Sequence, residues 1–383
     1  MDRQVNAPTP GKLVRIGGAS GFWGDSRLGP EQLVRHGSIE YIVFDYLAEL
    51  TMSILAGART KKPEDGYAID FVTVALRSVL KQATEQRIRI VSNAGGVNPK
   101  GCAAAVQALA EELGVKVRVA VVDGDDVLPL TDAMRRHGAA DMSSGQPLPE
   151  RLVTANAYLG ALPIARALDE GADIVVTGRC VDSAVTLGVL LHEFGWAADD
   201  FDRLAAGSLA GHIIECGCQA TGGLHTDWDR VPDWANIGYP IVECREDGSF
   251  VVSKPPDTGG LVTPATVGEQ LLYEIGDPAR YLLPDVTCDF RAVRLEQVGA
   301  HRVRVTGARG RAPTNTYKVS ATAHAGFKAS GQLTIVGIDA PAKAKRTGEA
   351  LLERGQRLLR EHGFAQFLAT NVELLGTESA YGP

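Results

Sequence analysis

The sequence lacks any long apolar run, and this absence is the first constraint on the class of protein. No segment approaches the roughly eighteen uninterrupted apolar residues of a transmembrane helix, and the N-terminal segment MDRQVNAPTPGK has no apolar stretch typical of a secretory signal. Only six cysteines occur in 383 residues, and they are scattered along the chain. A secreted disulfide scaffold is therefore excluded, and we predict a cytoplasmic protein with free thiols.

An excess of positive charge is also missing. Lys and Arg number 39 against 46 Asp and Glu, which gives a formal net charge of -7, and the two signs are interleaved along the chain. A nucleic-acid-binding protein needs a basic stripe that neutralises phosphates, and this sequence offers none. We predict no nucleic-acid partner and no membrane partner.

Two common cofactor motifs are absent as well. The glycine-rich segment GGASGFWG (17–24) has the spacing G-x-x-G-x-x-G rather than G-x-G-x-x-G, and no tyrosine is followed by lysine four positions later. A short-chain dehydrogenase uses that pair for proton transfer, so a dehydrogenase is disfavoured. The P-loop pattern G-x-x-x-x-G-K-[ST] is missing too, which disfavours a standard NTPase.

The chain does have the composition of a large globular protein, with 45% hydrophobic and 22% charged residues. Its first two hundred residues alternate short β-branched runs with helical stretches, one of which is predicted over 155–171. Such alternation predicts a mostly parallel sheet that is covered by helices on both faces. The predicted strands are KLVRI (12–16), EYIVFD (40–45), RIRIVS (87–92), KVRVAVVD (116–123) and ADIVVT (172–177).

The sequence pattern changes near residue 236, where runs typical of extended strands become more frequent. YPIVECREDGSFVVS (239–253) carries an Asp-Gly turn between two such runs and predicts a hairpin. Further extended runs, among them GQLTIVGI (331–338), precede a helix predicted over 342–363. We therefore predict an α/β fold with two domains: an α/β domain with glycine-rich strand-end loops at 1–235, and a smaller α+β domain with antiparallel strands and a C-terminal helix at 236–383.

Polar residues and glycines follow the predicted strands, with Asp45 at the end of the second one. Ligands of parallel sheets bind beyond the carboxyl ends of the strands, where helix N-termini and unpaired amides lie. Glycines there allow backbone amides to approach an anion, and an arginine supplies a fixed cation. The residues predicted to bind the substrate or another anion are Gly18, Ser20, Gly21, Lys100, Arg179 and Ser183.

The stretch GHIIECGCQATGG (211–223) concentrates reactive side chains. If 204–217 is helical, His212 and Cys216 lie one turn apart on a shared face, and Glu215 lies beside them. An imidazole in this position would lower the pKa of the thiol and create a nucleophile, or the three groups would share proton transfer. With two strand-end residues added, the predicted catalytic residues are His212, Glu215, Cys216, Asp182 and Asn93.

Each of these candidates has a plainer alternative. The glycine loops are also explained by tight turns, and Asp182 or Ser183 by capping of the helix predicted from residue 183. Cys180 and Cys216 are either nucleophiles or packing residues. His212, Cys216, Cys218 and His225 would make a four-ligand zinc set. Their spacing matches no compact zinc pattern, because the chain has no C-x-x-C, so we predict no metal.

Five motifs in order along the chain carry a family resemblance: IGGASGFWGDS, SNAGGVNPKG, VVTGRCVDSA, GHIIECGCQATGG and GTESAYGP. With them, the sequence from about residue 12 to 383 resembles the acyclic terpene utilisation AtuA-like family, formerly a domain of unknown function. The resemblance implies an enzyme that acts on a branched or unsaturated acyl-CoA or related carboxylate, as a hydratase or a carbon-carbon lyase. CoA is then part of the substrate, and no other cofactor is expected.

The resemblance leaves two alternatives open. Relatives are encoded beside acyl-CoA carboxylases and hydratases or are fused to them, which implies association with such proteins. In that alternative, the protein is a non-catalytic accessory subunit. The glycine loops also suit a nucleotide-dependent transferase. A homo-oligomer is the expectation for an enzyme of this size.

Overall fold

A nine-stranded mixed sheet is the central element of the fold. The computed structural model describes residues 11–377. Its strands are β1 (Leu13–Gly18), β2 (Tyr41–Phe44), β3 (Arg89–Ser92), β4 (Val119–Val122), β5 (Leu152–Ala157), β6 (Ile174–Thr177), β7 (Ile241–Arg245), β8 (Phe250–Ser253), β9 (Tyr281–Leu282), β10 (Thr287–Asp289), β11 (Arg294–Gly299), β12 (Arg302–Thr306), β13 (Arg309–Arg311) and β14 (Val319–Ala323).

Ten α-helices occur within the described residues, and none of the helices there is long and apolar enough to cross a membrane. They are α1 (Leu28–His36), α2 (Glu49–Lys61), α3 (Arg77–Glu85), α4 (Pro99–Glu112), α5 (Thr131–Arg136), α6 (Leu162–Asp169), α7 (Ala184–Phe194), α8 (Phe201–Ile214), α9 (Pro264–Leu272) and α10 (Ala340–Glu361). A π-helical segment (Phe71–Leu76) leads into α3, and a 3-10 helix (Gly217–Thr221) follows α8.

The five strands predicted in the first two hundred residues form the parallel half of the sheet. The order across the whole sheet is β11-β12-β8-β7-β1-β2-β3-β6-β4, and β1, β2, β3, β6 and β4 pair in parallel. Because parallel strands point the same way, their carboxyl ends lie along one edge. The parallel sheet is therefore confirmed, as is the common edge on which the site prediction depends.

Both faces of the parallel strands are buried, each against its own set of helices. In β2, Tyr41 and Val43 contribute to the core that also contains α6, α7, α8 and α9. Ile42 and Phe44 alternate with them and contribute to the core that contains α1, α2, α3 and α4. A strand buried on both faces has no need of polar alternation, which explains its continuous apolar sequence. The predicted α/β class, with helices on both faces, is confirmed.

Strands after residue 235 extend the same sheet in the antiparallel sense. β7 pairs with β1 from Leu13↔Arg245 to Gly17↔Ile241, and β8, β12 and β11 continue outward. The predicted β7–β8 hairpin is present, and Gly248 takes the positive φ of 84° that its turn requires. The sheet is mixed as a result. Since these strands share a sheet with the first part of the chain, a separate α+β domain at 236–383 is not confirmed.

Contacts divide the chain instead into a unit that ends at His324 and a unit that begins at Ala325. Within the described part of the second unit, the predicted C-terminal helix is present as α10, which has no buried residue. Phe367 and Val372 lie over glycines of this helix. The predicted extended run at 331–338 forms no strand.

One prediction within the first unit is wrong. The segment predicted as a helix over 155–171 begins as the end of β5, and its helical part is only α6. β5 pairs with β14, from Val319↔Ala157 to Ala323↔Leu152, in a small two-stranded sheet. Alanine-rich sequence favours a helix locally, but pairing with a distant strand overrides that preference here.

Replacing Gly57 with alanine is expected to stabilise the protein by about 1 kcal/mol. Gly57 lies inside α2, and an added Cβ would meet no atom within 4 Å. Gly18→Ala is the contrasting variant, because its Cβ would lie 2.3 Å from the carbonyl oxygen of Ile214, and it should lower the free energy of unfolding. Urea unfolding measures both changes. Equal effects of the two substitutions would contradict this account.

Candidate functional site

Glycines bring the loop after β1 against the carboxyl end of α8. A Cβ at Gly18 would lie 2.3 Å from the carbonyl oxygen of Ile214, and a Cβ at Gly21 would lie 2.6 Å from the carbonyl carbon of Cys216. The start of α7 approaches α8 in the same way, since a Cβ at Gly211 would lie 2.7 Å from the carbonyl oxygen of Ser183. These close contacts place the end of α8 at the strand-end edge of the sheet.

His212 and Glu215 form a buried pair at the end of α8. His212 Nδ1 lies 2.7 Å from Glu215 Oε1, and the two residues are 1% and 6% exposed. The predicted helical spacing is confirmed by this contact. Gln270 of α9 donates from Nε2 to the backbone carbonyl of His212 at 2.9 Å, which fixes the helix end. His212 Nε2 is buried without a well-formed hydrogen bond to any described residue.

Asn93 holds Asp45 at the ends of β2 and β3. The Asn93 side-chain amide donates to Asp45 Oδ1, and its carbonyl oxygen accepts from the backbone amide of Tyr46 at 2.8 Å. The hydroxyl of Ser20 donates to the backbone carbonyl of Asp45 at 3.0 Å. Both ends of the Asn93 amide are engaged, and the residue is fully buried. The predicted residues Asn93 and Ser20 are therefore at the site, where they position Asp45.

Arg179 is a buried cation beside Asp182. Its Nη1 donates to the Leu47 carbonyl at 2.7 Å and to Asp182 Oδ1 at 3.0 Å, and the guanidinium lies 4.1 Å from the centre of the Tyr158 ring. Its Nε is buried without a partner among the described residues. The Asp182 side chain is 31% exposed, so it is the part of the pair that faces solvent. The alternative of side-chain capping by Ser183 is wrong, because the Ser183 side chain makes no cap hydrogen bond to α7.

Three carboxyl groups at this edge have raised pKa values. Burial is the largest cause of the raised pKa of Asp45, and the charges of Asp182 and Glu215 add to it. Burial raises the pKa of Glu215 to about 7; His212 opposes the shift, and Asp182 and Glu274 add to it. Partial burial also raises the pKa of Asp182, and the charge of Arg179 opposes this shift. Like charges at close range disfavour simultaneous ionisation, and among these groups Glu215 has a pKa near neutral pH.

The thiols have raised and not lowered pKa values. Burial raises the pKa of the Cys216 thiol, and the negative charge of Glu215 raises it further. The expected lowering by His212 is wrong, because the imidazole pairs with Glu215 instead. Burial also raises the pKa of Cys180 to about 12. Neither environment favours the thiolate that a cysteine nucleophile needs.

Lys100 and the glycine-loop amides are engaged elsewhere. Lys100 Nζ pairs with Asp123 Oδ2 at 2.9 Å, and its side chain is 78% exposed. The amide of Gly18 donates to the Pro240 carbonyl at 3.0 Å, and that of Gly21 to Asp25 Oδ2 at 2.9 Å. A loop whose amides already bind a carbonyl and a carboxylate is not an open anion cradle. Its glycines serve close packing instead.

Three residues at the site were not predicted from the sequence. The Tyr281 ring centroid lies 6.1 Å from that of His212, Tyr158 packs against Arg179, and Gln270 binds the end of α8. Tyr158 directly follows β5, which lies outside the parallel sheet in a two-stranded antiparallel sheet, so the strand-end rule does not mark it. Gln270 and Tyr281 come from the later part of the chain, and no local pattern marks them.

The zinc set considered from the sequence does not assemble. His225 pairs instead with Glu269, with His225 Nδ1 2.7 Å from Oε2. Over residues 11–377, no three His, Cys, Asp or Glu residues are grouped to hold a metal ion. Two cavities of about 330 and 290 Å³ lie in the first unit, and neither is lined by Glu215 or Asp182. The buried pair and the carboxyls remain the chemical centre of this edge.

The free energy of unfolding is expected to fall as the pH rises from 4.5 to 7. The ordinary pKa of Glu215 is 4.5, and its pKa in the folded protein is about 7. The pKa values of Asp45 and His212 are raised in the folded protein as well. The native state then binds more protons than the unfolded state in this window, so stability is lost with rising pH. Carboxyl groups with a lowered pKa, such as Glu49 with a pKa of about 2, titrate below this pH window in the folded protein.

Urea unfolding at several pH values between 4.5 and 8 measures this slope. Glu215→Gln removes the titrating group and should flatten it. An unchanged slope in that variant would show that Glu215 does not carry the linkage.

The comparisons with known proteins agree with the resemblance carried by the strand-end motifs. The profile of the acyclic terpene utilisation family protein AtuA matches residues 14–382. Searches of curated proteins and of solved structures found no match. Of the motif GTESAYGP, residues 378–383 lie outside the described residues. Because the matched range covers nearly the whole chain, including every residue of the buried pair and the carboxyl cluster, the chain belongs to the AtuA family of acyclic terpene utilisation proteins.

Proposed function

We propose that the protein is an acid-base enzyme of acyclic terpene utilisation that acts on a branched or unsaturated acyl-CoA, as a hydratase or a carbon-carbon lyase. The observation that carries the proposal is the His212–Glu215 pair, with the pKa of Glu215 raised by burial to about 7. A general acid or base works best when its pKa lies near the operating pH.

Glu215 is assigned the role of proton carrier because it is the outer member of the pair. Glu215 is 6% exposed, whereas His212 is 1% exposed. The charge of the partly exposed Asp182 also raises the pKa of Glu215. His212 then lies behind Glu215 and orients its carboxyl group. Pairs of titratable groups with environments this different are typical of acid and base assignments.

A second carboxyl at the edge supplies the complementary proton. In hydration, Glu215 takes a proton from water as the oxygen adds to the β-carbon, and Asp182 gives a proton to the α-carbon. In lyase chemistry, Glu215 takes the β-hydroxyl proton as the bond between the α- and β-carbons breaks and the β-carbon becomes a carbonyl. Asp182 then protonates the α-carbon of the departing thioester enolate. Both reactions need one base and one acid that act on the same two carbons. The raised pKa of Asp182, caused chiefly by burial, suits the acid.

Arg179 stabilises the charge that develops on the thioester oxygen. Its guanidinium is 2% exposed, is held by the Leu47 carbonyl, and has an Nε with no partner among the described residues. A fixed cation in a water-poor site is worth more than one in water, because the local dielectric is low.

Solvent deuterium exchange tests the proposal directly. The protein is incubated in D₂O with a panel of branched enoyl-CoA and 3-hydroxyacyl-CoA thioesters, which are then analysed by mass spectrometry. We expect a gain or loss of one water, or cleavage to a shorter acyl-CoA, with deuterium at the α-carbon. No mass change and no deuterium across the panel would overturn the proposal.

The same thioesters, ATP and divalent metals are compared in thermal unfolding. Stabilisation by ATP alone would favour the nucleotide-dependent transferase. No stabilisation by any of them would favour an accessory subunit.

A further inference from the structure

The larger cavity, of about 330 Å³, lies among α6, α7, α8 and the turn between β9 and β10. A water molecule takes up about 30 Å³ of liquid, so the space holds about ten groups of that size. Most of its lining residues are apolar. The lining that matters here consists of Leu162, Pro163, Leu191, Leu204, Pro284 and Asp285.

Most of this cavity lies toward the ends of α7 and α8 that are remote from the acid-base edge, and one lining residue, Leu159, borders the edge through its backbone hydrogen bonds to Arg179 and Val181. Asp182 precedes α7 and Glu215 follows α8, whereas the cavity is lined by Leu191 near the other end of α7 and by Leu204 near the other end of α8. At 1.5 Å per residue, these stretches of helix span roughly 12–16 Å. A ligand chain held between Leu191 and Leu204 would therefore lie away from Asp182 and Glu215.

A single ionisable carboxyl, that of Asp285, lines the cavity. Its Oδ2 accepts from the backbone amide of Ala161 at 2.9 Å, at the start of α6. Gly160 allows this approach, because a Cβ there would lie 2.4 Å from Asp285 Oδ1. A carboxylate anchored at a helix N-terminus has a fixed position, and it remains a hydrogen-bond acceptor for a further donor.

We propose that this cavity is a second binding site, which takes a neutral medium-chain aliphatic alcohol. The chain lies against the leucines and prolines, and the hydroxyl donates its hydrogen bond to the Asp285 carboxylate. An alcohol satisfies both parts of the lining, whereas a carboxylate of the same length would bring a second negative charge into an apolar space. The site is independent of the proposed catalytic reaction.

The outer wall of the cavity gives such a ligand access. Pro313 and Tyr317 belong to a stretch without regular structure that lies between β13 and β14. Tyr317 is 61% exposed, so this side borders solvent. Ala198 lines the cavity from the loop between α7 and α8 and is itself exposed. A larger side chain at that position can therefore enter the cavity without distorting the core.

Isothermal titration of the full chain with octan-1-ol and with octanoate tests the proposal. We expect octan-1-ol to bind at least about tenfold more tightly than octanoate. Ala198→Phe should abolish octan-1-ol binding by filling the space. Ala197→Phe is the matched control at the exposed neighbouring alanine, which does not line the cavity, and it should bind like the wild type.

Asp285→Asn separates charge from shape. Asparagine can still accept from the Ala161 amide, so the cavity is preserved, and octanoate should then bind about as tightly as octan-1-ol. The proposal is overturned if octan-1-ol does not bind, if Ala198→Phe binds it as the wild type does, or if octanoate matches octan-1-ol in the wild type. These experiments measure binding and not turnover. A negative result would therefore contradict the alcohol site without bearing on the proposed acyl-CoA reaction.

Discussion

Turnover of an acyl-CoA substrate by Glu215→Gln is expected to fall by about 10²–10⁴-fold, the usual contribution of a positioned general acid or base. Glutamine keeps the shape of the side chain and can still contact His212, but it cannot carry the proton. The measurement is kcat with the best substrate of the panel across pH. The wild type should show a limb near pH 7 that reports Glu215, and the variant should lack it.

His225→Gln is the matched control for this prediction. It disrupts another histidine-carboxylate pair with a similar contact, in which His225 Nδ1 lies 2.7 Å from Glu269 Oε2. That pair lies outside the carboxyl cluster, so kcat should stay within about threefold of wild type. A similar loss in both variants would mean that general destabilisation, and not proton transfer, explains the effect of Glu215→Gln.

Arg179→Met is expected to lower the free energy of unfolding by about 3 kcal/mol at neutral pH, as when one partner is removed from a buried ion pair. Methionine fills part of the space, but Asp182 loses its partner at 3.0 Å and the Leu47 carbonyl loses its donor. Arg179 also lowers the pKa of Asp45. Chemical denaturation of the two proteins measures the difference.

The loss in Arg179→Met should shrink as the pH falls. Without the cation, the pKa values of Asp45 and Asp182 rise further, so the folded variant takes up protons at mildly acidic pH and relieves the unpaired charge. Arg118→Met provides the control. Arg118 is 70% exposed and lies 4.0 Å from Asp173, and such a surface pair contributes at most about 1 kcal/mol. Equal losses in both variants would contradict the role given to Arg179.

The parallel half of the sheet was predictable because each of its strands carries its own signal. The run YIVF within EYIVFD has no charged residue, and burial on both faces produces that pattern without reference to the rest of the chain. β5 was missed because it depends on β14, a partner far along the sequence. The run at 331–338 shows the converse, since its extended pattern finds no strand partner among the described residues.

The site residues also fall into two groups: those predictable from local sequence, and those that depend on contacts with distant parts of the chain. The contact between His212 and Glu215 follows from helical spacing, and Arg179 follows from the strand-end rule. The upward pKa shift of Cys216 was not predictable, because it depends on burial. Gln270 was not predictable either, since it reaches the end of α8 from a later helix.

The pairing of β1 with β7 also sets an order of events during synthesis. β1 lies in the middle of the sheet, but its neighbour on one side ends at Arg245. While the ribosome is still making the chain up to that residue, β1 is an open edge that can capture strands of other nascent chains. The parallel half must therefore wait, partly folded, for more than half of the chain to emerge, and a pause in translation before residue 245 would be the moment of greatest risk of aggregation.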